Sequence, residues 1–426
     1  MFLNRMLAAG NATSYHPFLP EHHVTLTLLI DLDNTLLDND MDTFIPAYLN
    51  ALGEHLANHT PPEQMVRVMM AATQQMFENN DPDRTLKESF DTHFYAPLGL
   101  VEAEMRSHFE YFYSHEFPTL IKFTRQRPEA VKLVQDAIAR GYKIGVATNP
   151  LFPRAAIEQR LDWAGLGKND VTFDLIPSYE DFHFAKPNPA YFAEFLGRMG
   201  WPDGPVIMIG DDLGPDIKGA RSFGLPVFWV SDGDKQIPEG HPRPTKSGRL
   251  ADILPWIDST SEEDLLPDFS SPTAMIATLR GSPAALKGVL IDIPKSRWTE
   301  QPHPTEWCLT EVICHLRDVE REVNLPRLQK ILLETNPFVP GVDSDTWASQ
   351  RAYISQDGPQ ALQDFIAARI ETLALLDSLA PADWNRPVRH AIFGPTELKE
   401  IISIMAGHER LHGQQVSKVL KKLRNP

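Results

Sequence analysis

Hydrophobic positions follow two different periods along this chain. Up to residue 231 short, β-rich apolar runs recur: VTLTLLI (24–30), KIGVAT (143–148), FDLIPS (173–178), VIMIG (206–210) and VFWVS (227–231). Between the later ones lie stretches with apolar residues three and four apart, PEAVKLVQDAIARG (128–141) and PAYFAEFLGRMG (189–200). Such runs suit strands buried on both faces, and their alternation with helices predicts a parallel sheet covered by helices. Residues 41–122 break the alternation. They carry a helical pattern rich in Met, Phe, Tyr and His, and are expected to form a helical insertion able to cover a site.

Residues 232–272 are rich in Pro, Gly, Ser and acidic side chains and read as loop and linker, apart from one short helical piece, RLADILPWI (249–257). Beyond 272 the strand pattern disappears. Four long amphipathic stretches follow: TAMIATLRGSPAALKGVLIDI, LTEVICHLRDVEREVNLPRLQKILLET, GPQALQDFIAARIETLALLDSL and TELKEIISIMAGHERLHGQQVSKVLKKL. Four such helices predict a bundle. The expected division is an extension over 1–23, an α/β parallel-sheet unit over 24–258, a linker over 259–272 and an all-α four-helix bundle over 273–426.

Composition narrows the partners. A net charge of -17 over 426 residues argues against a broad nucleic-acid or anionic-membrane surface, while leaving room for a local positive pocket. No apolar run reaches the ~20 residues of a membrane span. Two cysteines, Cys308 and Cys314, give no disulfide framework, which fits a reducing cytoplasm.

The first apolar run ends in Asp31-Leu32-Asp33-Asn34-Thr35. Polar groups gather after the other runs too: Thr148 and Asn149 at the second, Lys186 after the third, and Asp211, Asp212 and Asp216 after the fourth. In a parallel sheet these ends share one edge, where ligands bind. Carboxylates brought together there need a counter-charge. Asp31, Asp211 and Asp216 offer the hard oxygen ligands that suit Mg²⁺. Lys186, with the hydroxyl and amide of Thr148 and Asn149, suits phosphate oxygens. Asp31 is placed to attack phosphorus and Asp33 to move protons.

DLDNT, VATN, AKPNP and GDDLGPD, in this order, resemble the four motifs of the haloacid dehalogenase superfamily of hydrolases, over about residues 24–258. The resemblance implies a Rossmann-like core with a helical cap at about 41–122. It implies Asp31 as nucleophile, Asp33 as acid/base, and Thr148 and Lys186 on the substrate phosphate. Mg²⁺ is then held by Asp31, the Asp33 main-chain carbonyl and Asp211. Asp216 fits the second acidic position of the last motif, with Asp212 as the alternative that supports the loop. Members that cleave carbon–halogen bonds lack a carboxylate where Asp33 stands, so hydrolysis of a phosphate ester is expected. In the cap, Arg84, Lys87, His93 and Arg106 are read as solvated side chains ahead of substrate contacts.

The bundle carries a second candidate site. His408 and His412 lie four apart in GHERLHGQQV, hence on one helical face, a spacing that suits two ligands of one metal. His315 lies inside EVICHLRDVERE and completes a three-histidine set if the helices face each other. WCLTEVICHLRDVERE followed by HERLHGQQ resembles the DinB-like (DinB/YfiT) four-helix bundles, over about 273–426. That resemblance implies a divalent transition metal, Zn²⁺ or Ni²⁺, often with thiol-dependent transferase or hydrolase chemistry. Cys308 is a poor helix cap, so Thr310 is expected to shift the helix start. Pro326 is expected to kink or end that helix, and Cys314 to be core.

The combined expectation is a Mg²⁺-dependent phosphatase for a small phosphorylated metabolite, working through an aspartyl-phosphate and fused to a metal-binding bundle. Two alternatives stand beside it. In one the bundle is the main catalyst, a thiol-dependent transferase or metal-dependent hydrolase. In the other it is a non-catalytic binding or dimerising module. A low-molecular-weight thiol and a second copy of the chain are the further candidate partners.

Overall fold

The computed structural model describes residues 25–231, 236–344 and 346–424. The segment 1–23, expected to be an extension, lies outside them. Strand β1 (Thr27–Ile30) runs into a tight turn and then β2 (Leu37–Asn39). Helices α1 (Met41–His55), α2 (Pro62–Glu78), α3 (Leu86–Leu98) and α4 (Glu102–Tyr111) follow, and β3 (Thr124–Gln126) returns to pair antiparallel with β2. The 41–122 insertion is thus a helical cap entered and left through one two-stranded ribbon. Two of its helices start where the sequence supplies acceptors. Asp40 accepts from Asp42 N at the head of α1, and Thr85 and Glu88 form a reciprocal capping box at α3.

The chain continues through α5 (Pro128–Ala139), β4 (Lys143–Val146), α6 (Arg154–Trp163), α7 (Pro189–Arg198), β5 (Val206–Gly210), α8 (Gly219–Phe223), β6 (Val227–Val230), β7 (Lys246–Gly248) and α9 (Ile253–Ser259). The sheet order is β4-β1-β5-β6-β7, with every pairing parallel. Alternate side chains serve opposite faces. Leu28, Ile30, Ile207 and Ile209 pack with α5, α6 and the cap, whereas Leu29, Met208 and Trp229 pack with α7 and α8.

Two expectations about strands are corrected. FDLIPS (173–178) forms no strand; Leu175 makes only an isolated bridge to Gly145, because Pro177 interrupts the run and the Asp174 carboxylate turns back to accept from Ile144 N. Conversely β7 lies within the stretch read as linker. Lys246–Gly248 adds an exposed edge strand on main-chain pairing alone, without an apolar pattern to announce it.

The second half is helical. Helix α10 (Pro272–Leu290) is followed by α11 (Leu309–Val319), which continues through a π-turn at Glu320–Asn324 into α12 (Leu325–Leu333). Pro326 therefore sits in the first turn of α12, and the rod continues past it. After β8 (Phe338–Val339) and α13 (Trp347–Gln350) come α14 (Gly358–Asp377), β9 (Pro387–His390), β10 (Gly394–Glu397) and α15 (Leu398–Arg424). Four long helical rods form the bundle, with an unforeseen three-stranded sheet, β10-β9-β8, at one end. Helix α11 starts at Leu309, not later. Cys308 is its N-cap residue and its N–H donates to Glu311 (3.0 Å), while the Thr310 hydroxyl turns to the Trp298 carbonyl at 3.2 Å.

The junction between the halves is packed. Leu265 is buried in the sheet-side core, and Asp268 N donates to Gly224 O at 2.9 Å. Gly224 has φ +97°, and a Cβ there would overlap the Asp268 carbonyl, so only glycine suits both demands. Helix α10 belongs to both cores: Ala274, Ala277 and Ala284 lie against α7, and Leu286 and Leu290 face the bundle. A Cβ on Gly281 would stand 2.6 Å from Glu194 N of α7. Helix α10 also clasps the cap turn, with Lys287 Nζ 2.6 Å from Asp83 Oδ1 and Arg280 Nη1 3.3 Å from Asn80 Oδ1. Among the described residues no helix is long and apolar enough to cross a membrane.

Candidate functional sites

At the carboxyl ends of the parallel strands the structure brings Asp31, Lys186, Asp211 and Asp216 together. Lys186 Nζ donates to Asp31 Oδ1 (2.7 Å) and to Asp216 Oδ1 (2.5 Å). Asp31, Asp211 and Asp216 each offer a carboxylate oxygen, all within 4.8 Å of one another. Asp216 Oδ2 also accepts from Asp212 N at 3.1 Å. The Asp212 side chain accepts from Gly214 N at 2.8 Å, so this residue supports the loop.

The site is short of positive charge. Burial drives the Asp31 carboxyl well above the ordinary carboxylate range; Lys186 opposes the rise, and Asp216, Asp33 and Asp211 add to it. Burial also raises Asp216, against the pull of Lys186. For Lys186 burial works against the ammonium, but Asp216 and Asp31 outweigh it and the pKa rises. One ammonium thus faces three carboxylates, two of them buried. An all-oxygen set with unbalanced negative charge suits a hard divalent cation.

Thr148 and Asn149 stand beside these groups at the end of β4. The Thr148 hydroxyl is buried with no hydrogen-bond partner, while the Thr148 carbonyl accepts from Tyr191 Oη at 2.9 Å. The Asn149 carboxamide meets the main chain of Lys186, accepting from Lys186 N (3.1 Å) and donating to Lys186 O (3.2 Å). The side chain of Asn149 therefore braces the lysine loop.

Asp33 leaves the same turn, which Asn34 makes possible by adopting φ +57°. Its two carboxylate oxygens each lie 2.8 Å from Arg160 Nη1, and Oδ1 also accepts from Asn39 Nδ2 at 2.8 Å. Arg160 and Asn39 were not among the residues expected from the sequence. A signal existed for Arg160: in RAAIEQRLDW it shares the buried helical face of Ala156, Ile157 and Leu161. In the cap, Lys87 is spent on Asp91 and Glu102, and His93 Nδ1 lies 2.8 Å from Ser89 O. Arg84 and Arg106 are exposed.

The bundle brings its three histidines together as well. His315 Nε2 and His412 Nε2 each lie 3.2 Å from His408 Nε2. Burial pushes the imidazoles of His315 and His412 down to about 3 and about 4, with His412 adding to the effect on His315. His408 is lowered too, by burial first and then by the other two rings. Neutral rings with converging nitrogens are what a transition metal requires. His412 Nδ1 pairs with Gln415 Oε1 at 2.9 Å, and its Nε2 is the atom turned toward His408. Trp307 stacks parallel to His412, with an interplanar angle of 4°. Cys314 is buried, its Sγ 3.6 Å from Gln356 Oε1, and is not among the converging ligands.

Beneath the histidines lies a buried ion network that the sequence did not reveal. Arg369 donates to Glu320 (2.9 and 2.8 Å), to Glu409 (2.8 Å) and to Leu279 O (3.0 Å). Thr372 and Asn324 also donate to Glu320, at 2.5 and 2.9 Å. Burial works against the Glu320 carboxylate, yet Arg369 and these donors hold it below the ordinary glutamate range. Glu409, on the same helix as His408 and His412, is raised by burial.

Residues 25–224 match the family model of haloacid dehalogenase-like hydrolases, and residues 278–416 match the DinB superfamily. Pyrimidine 5′-nucleotidase YjjG of Escherichia coli is 38% identical over 115 residues, covering 26% of this chain and 48% of YjjG. That match spans about half of YjjG's length. Pyrophosphatase PpaX of Bacillus cereus is 23% identical over 232 residues, covering 54% of this chain and 94% of PpaX. Among solved structures, a HAD phosphatase from Thermococcus onnurineus is 18% identical with a TM-score of 0.37, over 55% of this chain and 98% of that one. YfiT from Bacillus subtilis, a four-helix bundle of unusual topology, is 19% identical with a TM-score of 0.33, over 39% of this chain and 91% of that one.

Proposed function

We propose, from the match of residues 25–224 to the haloacid dehalogenase-like hydrolases and of residues 278–416 to the DinB superfamily, a Mg²⁺-dependent phosphatase of small phosphorylated metabolites with a second, transition-metal centre in the bundle. The observation that carries the reading is the set Asp31, Asp211, Asp216 and Lys186 at one sheet edge, three carboxylates against one ammonium. The names of the relatives, a nucleotidase and a pyrophosphatase, point to the same substrate class. The functional boundaries proposed are 24–258 and 273–426, with 259–272 between them. The two unpaired cysteines support a reducing, cytoplasmic setting.

Asp31, Asp211 and Asp216 would hold Mg²⁺, which would supply positive charge for the phosphate oxygens. Lys186 adds its ammonium, and the unpartnered Thr148 hydroxyl donates to a third oxygen. An Asp31 oxygen attacks phosphorus; the new O–P bond forms as the bond to the ester oxygen breaks. Asp33 gives its proton to that leaving oxygen. It then takes a proton from water as the water attacks the phosphorylated Asp31, releasing phosphate and restoring the carboxylate. The cap excludes bulk water during the transfer.

The test is a screen of small phosphorylated metabolites with the full chain. We expect hydrolysis of at least one with Mg²⁺, loss in EDTA and recovery on adding Mg²⁺. Undiminished turnover in metal-free buffer sinks the reading.

In the bundle, His315, His408 and His412 are proposed to hold one Zn²⁺ or Ni²⁺, because borderline ions favour neutral imidazoles. Outer-sphere partners alone are worth 10–100-fold in affinity, so His412→Ala should weaken Zn²⁺ binding by about 100-fold or more. Isothermal titration of the full chain measures it, and equal affinities for both proteins remove the site.

A further inference from the structure

We infer that Arg160 is a positioning residue for the reaction, holding the Asp33 carboxylate in the orientation from which it exchanges its proton. The inference rests on the reading of Asp33 as acid/base. Arg160 projects from α6 with a fully buried side chain and uses a single nitrogen, Nη1, to reach both Asp33 oxygens at 2.8 Å. Its Nε and Nη2 are buried without hydrogen-bond partners, and its guanidinium lies 4.6 Å from the Phe152 ring. A guanidinium buried with two nitrogens unpaired is costly in stability. A bidentate fork would fix the pair better than one nitrogen does. The arrangement is poor as a structural salt bridge, yet Nη1 ties both Asp33 oxygens to α6.

The geometry around Asp33 supports the same role. Asn39 Nδ2 holds Oδ1 at 2.8 Å from the opposite element, the strand that enters the cap. Asp33 is thus tied between α6 of the core and β2 at the cap entrance. Its side chain keeps 17% exposure, so it is not sealed from solvent. Carboxylates that exchange protons must stay within hydrogen-bond reach of the reacting oxygen, and a misplacement of about 1 Å can cost on the order of 100-fold in rate.

The test is a mutant cycle on phenyl phosphate, whose leaving oxygen needs a proton, and on 4-nitrophenyl phosphate, whose leaving oxygen needs it less. Arg160→Met should lower kcat on phenyl phosphate by about 30–100-fold with KM within about twofold. The loss should be smaller on the nitro compound, and Arg160→Lys should recover much of it. In an Asp33→Asn background, Arg160→Met should add less than about threefold, because the two act as a unit. An equal loss in both backgrounds, or equal losses on both substrates, overturns the inference. Arg160→Gln is run in parallel, and failure of both Met and Gln variants to fold also overturns it, since the role is then structural. If Asp33→Asn itself turns over phenyl phosphate normally, it is the acid/base reading that falls.

Discussion

Asp31→Asn should lose phosphatase activity by roughly three orders of magnitude or more, with the fold intact. The side chain keeps its shape and can still accept from Lys186, which lies 2.7 Å from Oδ1. What disappears is the charge proposed to attack phosphorus and one of the three carboxylates proposed to hold a cation. Asp31 is a carboxyl that burial drives well above the ordinary range, so replacing it with a neutral amide removes a desolvation cost and thermal stability should hold or rise. The measurement is turnover of an aryl phosphate beside a melting curve. A variant that melts as the parent does and keeps near-normal turnover removes Asp31 from the chemistry.

Arg369→Met should destabilise the bundle by about 3–5 kcal/mol, the range seen when one partner of a buried ion pair is removed. Glu320, fully buried, would then face Thr372 and Asn324 without its counter-charge. Glu409 already has one oxygen with no partner and would lose the other. Adding Glu320→Gln to Arg369→Met should recover part of the loss by removing an uncompensated charge. Urea unfolding of the bundle helices measures both, and a loss below about 1 kcal/mol for the single variant contradicts this account of the network.

What the sequence made legible was chemistry attached to strong periodicity. Asp31, Thr148 and Asp211 follow apolar runs that became β1, β4 and β5, so their meeting at one edge followed from topology. His408 and His412 share a helical face through spacing alone. The missed features broke a pattern without announcing why. Arg160 and Arg369 occupy apolar stripes, and only their partners, Asp33 and the Glu320–Glu409 pair, explain a charge there. Residue type alone suggests Asn149 as a phosphate donor and does not show that its amide also braces the Lys186 main chain. Cys308 was judged a poor cap by its thiol, whereas Glu311 supplies the acceptor from three residues on. Helix α10 was assigned to the bundle by its amphipathic pattern; its small residues serve the hydrolase side as well.

The central claim is that phosphate passes through Asp31. The direct measurement is an acid quench of the full chain during turnover of a substrate carrying a radiolabelled phosphoryl group, followed by peptide mapping. The account predicts an acid-stable, hydroxylamine-labile label on the peptide that contains Asp31, present in the parent chain and absent in Asp31→Asn. Steady turnover with no label on that peptide, or with the label on another residue, contradicts it.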